Sequence, residues 1–90
     1  MKEITLVINE GIIVEWSGLP DNILLHIVDL DIGKEEVFDH KGNIRPIIEN
    51  NAILIKMKDG TINDYSGIPN GYQIWLIDED VSTNEIMNDF

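Results

Sequence analysis

Apolar and polar positions alternate from the start of the chain. Ile4, Leu6 and Ile8 are interleaved with Thr5, Val7 and Asn9, a period of two that reads as a strand with one side against a core. Asn9-Glu10-Gly11 breaks the pattern as a tight hairpin turn, because glycine accepts a positive φ. Ile12 to Trp16 is rich in β-branched and aromatic residues and reads as the return strand. In Ser17-Gly18-Leu19-Pro20-Asp21-Asn22, proline keeps Leu19 extended and glycine permits the bend before it, so this stretch is a loop. Ile23 to Asp29 is a third strand, apolar on both faces.

The same pattern then recurs. Gly11-Ile-Ile-Val-Glu-Trp-Ser-Gly-Leu-Pro20 aligns with Gly60-Thr-Ile-Asn-Asp-Tyr-Ser-Gly-Ile-Pro69 at an offset of 49 residues. The alignment runs without a gap from Lys2 against Asn51 to Ile32 against Val81, with eight identities and eleven conservative pairs over 31 positions. That is an internal duplication. Repeat 1 covers 2–32, a spacer 33–50, repeat 2 covers 51–81 and a tail 82–90. Comparing the copies orients the strands. Ile4/Ile53, Leu6/Ile55 and Ile8/Met57 stay apolar and should face inward, whereas Thr5/Leu54, Val7/Lys56 and Asn9/Lys58 change character and should face outward. Leu25/Ile74 and Ile27/Leu76 form one face of the third strand. Its other face, Leu24/Gln73, His26/Trp75 and Val28/Ile77, is also largely apolar, so it must be covered on both sides.

Each repeat is therefore expected to be a three-stranded antiparallel meander. Two such meanders packed as one all-β, sandwich- or barrel-like domain over residues 1–90, or dimerisation of the chain, or both, would supply the missing cover, and a homo-oligomer, a dimer, is expected. The spacer holds a short hairpin around Lys41-Gly42-Asn43, and Pro46 places the residues after it in an edge strand or loop. In the tail, Ser82-Thr-Asn-Glu85 has capping-box spacing, which predicts a brief helical turn from Ser82 to Met87.

Charge changes this picture most. Six basic and seventeen acidic residues give a formal charge of −11 and an isoelectric point near 4.2. The acid sits in the duplicated units: residues 2–32 and 51–90 carry −5 each, and the spacer −1. Such a chain repels nucleic-acid phosphates and anionic membranes, which argues against direct binding to either, and leaves open a protein partner with a basic surface, a cation or simple solubility. The absence of cysteine excludes disulfides, thiolate catalysis and zinc-thiolate or iron–sulfur sites. No signal-peptide layout opens the sequence and no apolar run reaches membrane-spanning length, so the expectation is a cytoplasmic protein.

Two sets of residues are candidates for function. In a meander, Glu10 would lie at the same end of the sheet as Asp29 and Asp31, and Asp59 would join Asp78, Glu79 and Asp80, giving two acidic rims. Asp-x-Asp at a strand end could hold one hard cation, but the EF-hand spacing is not met. Hydrated acidic strand ends are the simpler reading, and no metal or cofactor is expected. The second set is aromatic: Trp16 and Tyr65, equivalent in the alignment and each ahead of Ser-Gly-x-Pro, read first as core residues capping the sheet at the loop end and second, with Trp75, as candidate interface anchors. His26 is replaced by Trp75 in the second copy and reads as a packing residue, while His40 sits at a turn. There is no nucleophile elbow, phosphate loop or Walker pattern, so the chain reads as non-enzymatic.

The succession of apolar strand, acidic-Gly turn, strand ending in Ser-Gly-(Leu/Ile)-Pro and strand ending in Asp-x-Asp resembles small uncharacterised proteins common in phages and mobile elements. Asp39-His-Lys-Gly42-Asn43 matches the Asp-x-x-Gly-Asn that often succeeds the first unit in those proteins. The resemblance covers residues 3–48 and the second copy through residue 80. This chain departs from it in a less acidic spacer and a second full unit. It implies a phage or prophage setting, the host cytoplasm, and no particular activity.

The leading expectation is thus a small acidic binding protein that acts by protein–protein interaction, one version being a nucleic-acid mimic that blocks a nucleic-acid-handling or defence protein. The alternatives are an oligomer that sequesters a small ligand, with Lys34, Lys41 and Arg45 meeting an anion, and a structural virion component.

Overall fold

The structure, a computed structural model, describes residues 2–47 and 51–87. Nine strands are laid out along the described residues: β1 (Lys2–Asn9), β2 (Ile12–Ser17), β3 (Leu24–Asp29), β4 (Lys34–Phe38), β5 (Ile44–Arg45), β6 (Ala52–Lys58), β7 (Thr61–Ser66), β8 (Tyr72–Asp78) and β9 (Thr83–Met87). They form a four-stranded sheet in the order β2-β1-β8-β9 and a five-stranded sheet in the order β5-β4-β3-β6-β7. The all-β, two-layered expectation is met, as a sandwich and not as a closed barrel. Among the described residues no helix is long and apolar enough to cross a membrane.

The meander is corrected. β1 and β2 form the expected antiparallel hairpin, but β3 leaves for the other sheet, where it runs parallel to β6 of the second copy. Reciprocally, β8 runs parallel to β1. Each sheet therefore joins a hairpin from one repeat to the later strands of the other, and a pseudo-twofold axis exchanges the two sheets. The reason is visible in the residues. In a meander β2 would be central, yet Glu15, Asn63 and Asp64 make the return strands polar and suited to an edge. The doubly apolar β3 and β8 take central places instead.

The duplication also proves longer than its sequence signal. β4 and β9 hold equivalent positions at the same 49-residue offset, pairing antiparallel with β3 and β8 in matching registers. Residues 83–87 of the supposed tail are thus a strand, which corrects the helical turn expected from Ser82 to Met87. Ser82 has φ +56°, incompatible with a helix start. One isolated helical turn gains little in water, whereas the strand completes the ladder along β8 and buries Met87.

Facing agrees with the comparison of copies. Ile4, Leu6, Ile8, Ile53 and Ile55 have no solvent exposure, and with Leu25, Met57, Ile74 and Leu76 they form the shared core. Both hairpins carry a bulge at the same place: Val14 is the extra residue between the β1–β2 pairs Val7–Glu15 and Ile8–Ile13, and Asn63 is its counterpart. The bulge lets Ile13 and Trp16, three residues apart, both pair with inward residues of β1.

The Ser-Gly-(Leu/Ile)-Pro element is the crossover between sheets. Gly18 has φ +79° and passes so close to the start of β1 that a Cβ there would lie 2.4 Å from the Glu3 carbonyl oxygen. Gly67 repeats this over Ala52, at 2.5 Å and φ +81°. Leu19 and Ile68 then bury in the core, each contributing about 1.5–3 kcal/mol. The Pro20 and Pro69 carbonyls accept the Ile23 and Tyr72 N–H groups as the next strand begins.

Candidate functional site

The acidic residues are placed by the turns they adjoin. Glu10-Gly11 and Asp59-Gly60 are two-residue turns with positive φ at both positions (55° and 75°; 54° and 75°), the mirror-type geometry that matches strand twist. Such a turn leaves two N–H groups pointing outward. In each case they are taken by a carboxylate of the other copy. Asp80 accepts Glu10 N–H at 2.8 Å and Gly11 N–H at 2.9 Å; Asp31 accepts Asp59 N–H at 3.0 Å and Gly60 N–H at 3.2 Å.

Asp-x-Asp is the device that aims these carboxylates. The first aspartate, Asp29 or Asp78, is largely buried and accepts the N–H of the second through Oδ1 at 3.0 Å. This bends the chain out of the strand, so the second side chain reaches across to the opposite turn. The parallel pairing carries on beside it, with Leu30 N–H donating to the Met57 carbonyl and Glu79 N–H to the Ile8 carbonyl. Converting Asp31 or Asp80 to alanine should destabilise the protein by about 1–2 kcal/mol, since each change removes two charge-assisted but exposed hydrogen bonds. Urea midpoints would read this, and a wild-type midpoint for both variants would refute the clasp.

Two separate rims, with Glu10 beside Asp29 and Asp31 and with Asp59 beside Asp78, Glu79 and Asp80, do not form. Glu10 instead meets Asp80, and Asp59 meets Asp31. The two turns also touch: a Cβ at Gly11 would lie 3.4 Å from the Gly60 Cα. All these acids consequently crowd one end of the molecule around the pseudo-twofold axis, opposite the crossover loops. Glu79 additionally accepts the Asn9 amide at 3.1 Å. Among the described residues no group of three or more His, Asp or Glu side chains is arranged to hold a metal ion.

The aromatic candidates part company. Trp16, half-buried on β2, lies against Phe38 of β4 in the other sheet, ring centroids 4.8 Å apart and tilted by 48°. Tyr65, its equivalent, is half-buried beside the core. Trp75 lies on the outer face of the four-stranded sheet, half-buried, and its Nε1–H is buried with no hydrogen-bond partner among the described residues. His26, the counterpart of Trp75, packs between Val37 and Leu54 across strands, and its Nε2 lies 2.6 Å from Glu35 Oε1.

Asp39-x-x-Gly-Asn43 closes the β4–β5 hairpin. Asp39 Oδ1 accepts the N–H groups of Lys41 and Asn43, both at 2.9 Å, and Oδ2 accepts the Asn43 amide at 3.2 Å. The Asn43 N–H, foremost among these, holds the Asp39 carboxyl below its ordinary range. The ordering it gives the loop is complete above that range and is lost as pH falls through the lowered value. Of the spacer cations, Lys34 lies 3.4 Å from Glu36, while Lys41 and Arg45 stand exposed on the hairpin.

Sequence reasoning did not find the cross-copy clasp or the role of Phe38. The signal for the clasp was the identity of both aspartates in both copies, at positions where the intervening residue varies from Leu30 to Glu79. Comparison of the chain with protein-family models, with curated proteins and with solved structures returns no match.

Proposed function

We propose that this chain is a small non-catalytic binding protein that engages a basic surface of a protein partner through its acidic end, in a phage or prophage setting. The observation that carries the reading is the convergence of Glu10, Asp31, Asp59, Glu79 and Asp80 around the Gly11–Gly60 contact, on a chain of net charge −11. A concentrated, predominantly negative field of this kind steers a complementary partner and selects against others. The nucleic-acid-mimicking version belongs here, because carboxylates held on a rigid turn scaffold can substitute for backbone phosphates. Self-association belongs to the same reading, through the outer face that carries Trp75, Ile77 and Ile86.

The test must spare the carboxylates that clasp the turns. Glu10 and Asp59 enter the clasp through backbone N–H groups, and Glu79 makes one exposed bond. The variant Glu10→Lys, Asp59→Lys, Glu79→Lys should therefore fold. Partner capture from host extract, and displacement of DNA from the captured protein, should weaken by at least about tenfold in the variant. Wild-type capture should also fall as salt rises. Capture that is indifferent to both would refute the proposal.

A further inference from the structure

The open seams of the sandwich are related by the pseudo-twofold axis, but they are not equally filled. Between β2 and β4 lies a cleft of about 160 Å³ whose apolar lining includes Ile13, Trp16, Ile27, Phe38 and Met57. At the equivalent positions of the second copy, Leu76 is 3% exposed and Met87 7%, whereas Ile27 and Phe38 remain partly open to the cleft. Among the described residues the second seam is thus closed over Leu76 and Met87, whereas the first keeps a cavity. An apolar cavity of roughly 150 Å³ holds one benzene-sized ring.

Polar groups at the cleft specify more than a ring. Asp29 lines it, nine-tenths buried, with one carboxylate oxygen occupied by Asp31 N–H. Glu36 and Lys34 also line it and pair with each other at 3.4 Å. Two carboxylates therefore face one ammonium, which leaves the cleft in net negative charge. The faces of Trp16 and Phe38 also favour a cation over an anion. An anion held by Lys34, Lys41 and Arg45 does not fit this lining.

We propose that the β2–β4 cleft binds a small aromatic amine, its ring among Trp16, Ile27 and Phe38 and its ammonium directed to Asp29. The site shares Asp29 with the acidic end, but the partner variant leaves Asp29 in place and the cleft variants leave Glu10, Asp59 and Glu79 in place, so the two proposals can fail separately.

The probe is 2-phenylethylamine, observed by NMR on the full chain, with phenylacetate and toluene as anionic and neutral comparisons. Saturable shifts at the Trp16 indole and the Ile13, Ile27 and Met57 methyls are expected with the amine, at an affinity about tenfold or more above either comparison. Asp29→Asn keeps the oxygen that accepts Asp31 N–H and should remove that advantage. The double variant Ile27→Leu, Phe38→Met carries the residues of the sealed seam; it should retain the fold and lose amine binding. The proposal is overturned by the absence of saturable shifts, by shifts centred elsewhere, by equal affinity for the three probes, or by undiminished amine binding in the double variant.

Discussion

Alanine at Gly67 should bring the protein to the edge of unfolding at room temperature. The added methyl would stand 2.5 Å from the Ala52 carbonyl oxygen, with φ at +81°. The left-handed backbone alone costs an alanine about 1–2 kcal/mol. The clash adds to this, because the obstructing atom belongs to the β6 backbone and cannot swing aside. A total of about 3–5 kcal/mol is a large share of the roughly 5–15 kcal/mol typical of a small domain. Gly18→Ala should behave alike, with its methyl 2.4 Å from the Glu3 carbonyl oxygen. Gly71 is the internal control: φ is +84°, but among the described residues nothing lies within 4 Å of an added Cβ, so its alanine variant bears the backbone cost alone. Equal urea midpoints for Gly67→Ala and Gly71→Ala would disprove the close crossover.

Cutting the chain between residues 47 and 51 is expected to abolish the folded monomer altogether. Within the first half, the ladders join β1 to β2, β3 to β4 and β4 to β5; β1 and β3 find their other neighbours, β8 and β6, only in the second half. Each half is then a pair of isolated hairpin units, which are marginal in water. Mixing the two halves should restore the native circular dichroism and a one-to-one complex by sedimentation. Either half alone should be disordered or should associate with itself, since its equivalent surfaces are related by the duplication. A cooperatively unfolding monomer from one half would sink the interlocked topology.

Each signal in the sequence measures one aspect of the fold. Alternation reports the two sides of a strand, so the inward set Ile4, Leu6, Ile8 and its counterparts were legible, as was the all-β class. Duplication added orientation, and it marked Asp29, Asp31, Asp78 and Asp80 as equivalent. Neither signal carries the identity of a strand's neighbours. Whether β3 lies beside β2 or beside β6 depends on where the Ser17–Ile23 crossover goes, and that is set by the Gly18–Glu3 approach between backbones. The polar character of β2 held the clue that it belongs at an edge. The same limit applies to the acids: the pattern places them at the right end of the strands but groups them by copy, whereas the clasps group them across copies. At Ser82 a local capping pattern competed with the unpaired edge of β8, and the edge won. The β2–β4 cleft was out of reach, because it depends on how well Phe38 and Met87 fill equivalent seams.

The parallel ladders between β1 and β8 and between β3 and β6 also determine when this protein can fold. During synthesis the first copy emerges with two hairpins and no sheet to join them, its doubly apolar β3 uncovered until β6 arrives and its β1 until β8 does. Folding must wait for distant segments to meet, which raises contact order and slows the search. Newly made chains therefore pass through an interval of exposed apolar strand in which association competes with completion. The strongly acidic sequence suppresses that association in the nascent chain through mutual repulsion, a role for its charge that needs no partner at all.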